Sequence, residues 1–263
     1  MKTLTLLLLF FSFSFTTIAK KKEDRYRKVT NYSFREGEVL NYIIHYGFLD
    51  AGAARLELVP EKEEMYGRKI LHCVGTGWSL KKFDWIFKVR DRYETYMDAE
   101  GIFPYKFVRR VDEGGYKINQ NYHFYPSKNK IHTGKKDLVE SPEKYVQDMI
   151  SSFYYARTID FKNANKGDIF TIPSFVDGKF FPIKIKYKGE ATISIRSGKY
   201  KCFLFNPVVQ TGRIFKNEND LKFYVTNDKN KIPILVEAKL LIGAIKMELT
   251  SYEGLAGPLA KLK

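Results

Sequence analysis

WSLKKFDWIFKVRDRYETYMDAEGIFPYKFVRRVDEGGYKINQNYHFY, residues Trp78 to Tyr125, reads as three consecutive antiparallel strands joined by two tight turns. In the first strand Trp85, Phe87, Val89, Asp91, Tyr93, Thr95 and Met97 share one face. Lys88, Arg90, Arg92 and Glu94 share the other, which is the period of two expected of a half-buried strand. Asp98-Ala99-Glu100-Gly101 folds the chain back through Tyr105, Phe107, Arg109 and Val111, and Glu113-Gly114-Gly115 turns it again into Tyr116 to Tyr125. The apolar face of the first strand is broken at Asp91. A buried carboxylate needs a partner, because an uncompensated charge costs several kcal/mol. With the register symmetric about the first turn, Arg109 lies one diagonal away on the same face. Asp91 and Arg109 are therefore expected to form a structural ion pair on the inner face.

The same alternation extends outward. Glu38 to Tyr46 and Gly52 to Val59 read as a strand pair, and Lys69 to Gly75 as the next strand. One segment has helical spacing: Ser141 as N-cap, Pro142 at the first position and Glu143 in the first turn. Val146, Met149, Ile150, Phe153 and Tyr154 then recur on one face, ending near Arg157. Strands resume beyond Gly167, with Asp177-Gly178 as the strongest hairpin signal, and run to Tyr252. Roughly twelve strands, one main amphipathic helix and no internal repeat give a mainly β protein with a single domain over residues 34–256. Residues 20–33 read as a flexible charged leader and 257–263 as a tail without periodicity.

Residues 1–19 read as a secretory signal peptide: Lys2, an apolar run from Leu4 to Phe15, then the small residues of Thr17-Ile18-Ala19. A membrane anchor is the competing assignment, but the run is short for a bilayer. The expected location is outside the cytoplasm, in the periplasm or beyond the cell. The chain carries 45 Lys and Arg against 30 Asp and Glu, a formal charge of +15. That balance suits either an anionic membrane surface or a plainly solvated lysine-rich surface, and export argues against nucleic acid. Cys73 and Cys202 either form a disulfide or serve as small buried hydrophobes. His45, His72, His123 and His132 have no metal-ligand spacing, and no nucleophile motif is present. No catalytic residue, metal or cofactor is assigned.

Four blocks, GFLDAGAARLEL, GWSLKKFDWIFKVRDRYETYMD, FVRRVDEGGYKINQNYHF and GRIFKNENDLKFYVTNDKNKIPILVEAKLLIGAIKMEL, occur in order. Together they resemble a family of bacterial exported proteins catalogued as domain of unknown function 3108, over roughly Gly37 to Tyr252. The layout is also similar to periplasmic lipoprotein-sorting carriers. That likeness implies a strongly curved antiparallel sheet, an incomplete barrel, with the helix packed on its concave side. Trp85, Phe87, Tyr93, Tyr105, Phe107, Met149 and Phe153 are then expected to line the concave face, where they either fill the interior or bind a hydrophobic or amphiphilic ligand such as a lipid or lipoprotein acyl chain. A filled interior plugged by the helix is favoured for the resting state. The expected function is non-enzymatic binding in the cell envelope. The alternatives are a hydrolase of envelope glycans or lipids using Asp91 and a second carboxylate, and a scaffold that binds a protein by its sheet edge.

Overall fold

The computed structural model describes residues 26–135, 137–208, 220–240 and 243–262. The expected signal peptide and the start of the leader lie outside them, as do residues 209–219. The first hairpin is β1 (Val39–Tyr46) and β2 (Leu49–Val59). There follow β3 (Glu64–Met65), β4 (Arg68–Ser79), β5 (Arg90–Asp98), β6 (Pro104–Glu113), β7 (Tyr116–Tyr125), β8 (Lys130–His132) and β9 (Leu138–Glu140). After the helix α1 (Met149–Thr158) come β10 (Ile169–Ile172), the small hairpin β11 (Phe175–Val176) and β12 (Lys179–Phe180), and β13 (Ile183–Ile195). The chain finishes with β14 (Gly198–Pro207), β15 (Leu221–Thr226), β16 (Pro233–Lys239), β17 (Ala244–Glu253) and β18 (Lys261–Leu262).

All but β11 and β12 belong to one large antiparallel sheet, in the order β10-β13-β14-β15-β16-β17-β1-β2-β4-β5-β6-β7-β8-β9. The pairing of β1 with β17 joins the two halves of the chain. The sheet is not closed into a barrel: β10 and β9 are its ends. Between them a parallel bridge forms, in which the Gln147 amide donates to the Pro173 carbonyl and the Phe175 amide to the Gln147 carbonyl, both at 2.8 Å.

Cross-strand register fixes which side chains share a face. Leu58, Cys73, Thr95, Phe107 and Tyr122 lie opposite one another across β2, β4, β5, β6 and β7, and Leu56, Gly75, Tyr93, Arg109 and Gln120 form the next row. α1 packs on this face. A Cβ at Gly75 would sit 3.3 Å from a Leu56 methyl and 3.5 Å from an Ile150 methyl, so glycine here lets the helix approach the strand. Met149 and Ile150 join the core around Phe107 and Tyr122, Tyr154 that around Leu58 and Cys73, and Phe153 reaches both the latter and the core around Leu40 and Tyr42.

Three sequence expectations need correcting. The helix starts at Met149, not beside Pro142, because Gln147 is committed to the bridge with Ser174 and Tyr145 has φ 57°. Its N-cap is Asp148, whose carboxylate accepts from the Ile150 and Ser151 amides while the Ser151 hydroxyl accepts from the Asp148 amide. The described part of the leader is anchored: the Arg27 guanidinium donates to the Gly101 and Ile102 carbonyls, and the Val29 amide to that of Glu100. The tail is tied down too, since β18 pairs with β14.

Candidate functional site

The seven residues expected to line a concave site are not brought together. Trp85 and Phe87 are exposed in the loop before β5. Ser79 and Asp84 explain why. The Ser79 hydroxyl donates to the Asp84 carboxylate at 2.5 Å and accepts from the Val89 amide, and Arg90 closes the clasp on Asp84 at 2.7 Å. The strand therefore begins at Arg90, and the residues inside the clasp turn outward. Tyr93, Phe107 and Met149 share one core, Tyr105 packs in another with Ile70 and Phe103, and Phe153 bridges two more. These five are filling side chains.

The Asp91–Arg109 pair does not form. Arg109 sits opposite Tyr93, one diagonal from Asp91, but its guanidinium turns to Asp177 in the β11–β12 hairpin at 2.6 Å. Asp91 instead accepts from the Asp112 amide at 3.2 Å and lies beside the Glu113 carboxyl. Burial, and then the adjacent Asp91 carboxylate, hold the Glu113 carboxyl above the usual carboxylate range. No disulfide forms either. Cys73 and Cys202 are free and buried in separate cores, where burial pushes both thiols up and leaves them unreactive. Among the described residues no three His, Cys, Asp or Glu side chains are grouped to hold a metal.

A cavity of about 520 Å³ lies where β4 passes through this loop into β5, lined by Trp78, Leu80, Lys81, Arg90, Asp91, Arg92 and Arg110 among others. Arg92 and Arg110 are direct cross-strand partners, on the face opposite Tyr93 and Arg109. Like charges so placed repel. Arg92 is answered by Glu94 at 2.7 Å and Arg90 by Asp84. Among the described residues Arg110 has neutral hydrogen-bond partners only: the Arg109 and Gln120 carbonyls and the Asn121 amide oxygen, at 2.8–3.0 Å. The cavity thus offers three guanidinium groups and Lys81 against one carboxylate, Asp91, beside an apolar wall of Trp78 and Leu80, an arrangement suited to an anion attached to a hydrocarbon chain. The sequence reading missed it because it placed Arg90 and Arg92 on the second face of the strand and gave Arg110 no role. The direct opposition of Arg92 and Arg110 depends on the register shift between Tyr96 and Met97, which a register symmetric about the turn does not contain.

The solved structure of a β-barrel-like protein of domain of unknown function DUF1849 from Brucella abortus is similar in fold: TM-score 0.51 at 8% identity, covering 87% of this chain and 98% of that one. A candidate exported protein with a YmcC-like fold from Bacteroides fragilis gives a TM-score of 0.32 at 11% identity, over 86% and 99% of the two chains. A candidate lipoprotein from Parabacteroides distasonis gives 0.31 at 11%, over 86% and 100%. No curated protein matches the chain. The family described as protein of unknown function DUF3108 matches residues 41–250, and the protein belongs to that family.

Proposed function

We propose that the protein is a non-enzymatic component of the bacterial cell envelope that binds an amphiphile carrying an anionic group, such as a lipid or a lipoprotein's acylated end. The observation that carries this is the cavity in which Arg92 faces Arg110 and Arg110 has no carboxylate partner among the described residues. A bound phosphate or carboxylate relieves the repulsion of the two guanidiniums and takes bidentate hydrogen bonds from them. The sheet wraps round α1 as an incomplete barrel with a filled interior, so the ligand site is on the opposite face. Native mass spectrometry and lipid extraction of the purified protein are expected to release an amphiphile, and a fluorescent fatty-acid probe is expected to bind. Arg92→Gln combined with Arg110→Gln is expected to weaken the probe by about 10-fold or more. Recovering no ligand and seeing no probe binding overturns this reading.

A second reading, a hydrolase of envelope glycans or lipids, has one observation in its favour: Asp91 and Glu113 are paired carboxyls with Glu113 held toward its protonated form. Glycoside hydrolysis needs the two carboxyls at least about 5 Å apart, with room between them for the substrate. Turnover of an envelope substrate that is lost in Asp91→Asn would favour the enzyme.

A further inference from the structure

Trp85, Ile86 and Phe87 are three consecutive large apolar side chains that stand 82%, 60% and 54% exposed. Such a run on a soluble surface is unfavourable unless something covers it. They are not alone. Phe48, at the tip of the β1–β2 turn, is 91% exposed, and Leu49 and Tyr116 are also in solvent. The register puts all of these at one end of the sheet: Gly52 lies opposite Ser79, the Leu80 amide donates to the Ala51 carbonyl, and Val89 bridges to Glu113. The β1–β2 turn, the loop before β5 and the β6–β7 turn therefore form a continuous rim in sheet order. Phe87 rests against Gly114 of the last turn, where a Cβ would lie 2.5 Å from the ring. The Trp85 indole donates to the Lys82 carbonyl at 3.0 Å, which satisfies its polar edge within the loop and holds the ring outward.

We propose that this rim docks the protein on an anionic lipid bilayer. The charge around it selects that occupant. Lys81, Lys82 and Lys88 belong to the same loop as the aromatic run, and none of them forms an ion pair among the described residues. Tryptophan and phenylalanine at headgroup depth, flanked by Lys81 and Lys82 and by Lys88, whose charge also reaches Asp84, match an interface of acyl chains beneath anionic phosphates. The proposal goes beyond ligand binding in the arginine-lined cavity and does not depend on it.

The test is sedimentation of the exported chain with phosphatidylcholine vesicles, with and without phosphatidylglycerol. Binding is expected only with phosphatidylglycerol. Lys81→Gln, Lys82→Gln and Lys88→Gln together are expected to reduce it on the order of 100-fold at low salt. Trp85→Ser, Ile86→Ser and Phe87→Ser together are expected to reduce it at least about 10-fold. These six positions are exposed, and unchanged melting of each variant confirms that the fold survives. In a Trp78→Phe background Trp85 is the sole indole, and its emission is expected to shift to the blue on binding. Unaltered binding in either variant overturns the proposal. So does concentration-dependent self-association of the wild type that the serine variant abolishes, since a second copy would then be what covers the rim. Probe binding retained by the serine variant, which touches no residue lining the cavity, separates a failure here from a failure of the ligand site.

Discussion

Glu38 and Arg157 lie 119 residues apart and meet in a fully buried bidentate pair at 2.6 and 2.7 Å. Arg157 also donates to the Asn230 and Ser33 carbonyls, so four of its five N–H donors are used without water. Removing one partner strands a buried charge, which costs about 3–5 kcal/mol, whereas an apolar pair of similar volume costs much less. Glu38→Leu is therefore expected to be strongly destabilising alone, and adding Arg157→Met is expected to recover part of the loss. Urea unfolding of the four species tests this, and strict additivity would sink it. The sequence marks a paired charge on an apolar face, but at Asp91. The logic that a carboxylate there needs an answer holds, since the Asp112 amide and Glu113 supply it. The choice of Arg109 fails because a long guanidinium side chain is not confined to its diagonal. It reaches Asp177, whose hairpin no local pattern places nearby.

At the scale of elements, short-range chemistry was legible. Both turns of the opening stretch fall where expected, between Asp98 and Pro104 and between Glu113 and Tyr116, and Asp177-Gly178 does make a hairpin. The helix start was not, because a serine-proline-glutamate signature competes with a tertiary bridge at Gln147 that no local rule contains. The true signal was subtler: Asp148 followed three residues later by Ser151. Burial lifts the Asp148 carboxyl from 3.8 to about 6, despite hydrogen bonds from Thr95, Ser151 and Ile150. The folded chain thus holds this proton more tightly than the unfolded chain. Its contribution to stability is fully present below about pH 4 and lost as pH rises through about 6, by about 3 kcal/mol at most. Asp148→Asn keeps a capping oxygen and has no charge to bury. Relative to wild type it is expected to be more stable at pH 7 than at pH 4 in urea unfolding. An equal difference at both pH values would show that Asp148 does not titrate in this window.

At the scale of the whole molecule, side chains of α1 contribute to three of the cores on the sheet. The proposed cavity and rim lie instead at the strand ends marked by Ser79 and Arg90. The sequence could not show this, because it presents the aromatic loop as a continuation of the strand, and only the Ser79–Asp84–Arg90 clasp turns it outward. Lys81 belongs to both the cavity lining and the lysine-flanked rim, so the two features adjoin. If the rim docks on a bilayer and the arginines receive an anionic headgroup, docking should speed collection of ligand from a membrane without changing affinity in solution. The serine variant at Trp85, Ile86 and Phe87 is therefore expected to bind free fatty-acid probe as the wild type does. It is expected to take up probe from phosphatidylglycerol vesicles about 10-fold more slowly, because its residence at the surface falls with its partition. The Arg92→Gln and Arg110→Gln protein is expected to behave in the opposite way, staying on vesicles yet extracting little probe. Stopped-flow transfer with both proteins separates the two roles. Equal transfer rates for wild type and the serine variant would mean that the rim and the cavity do not work together.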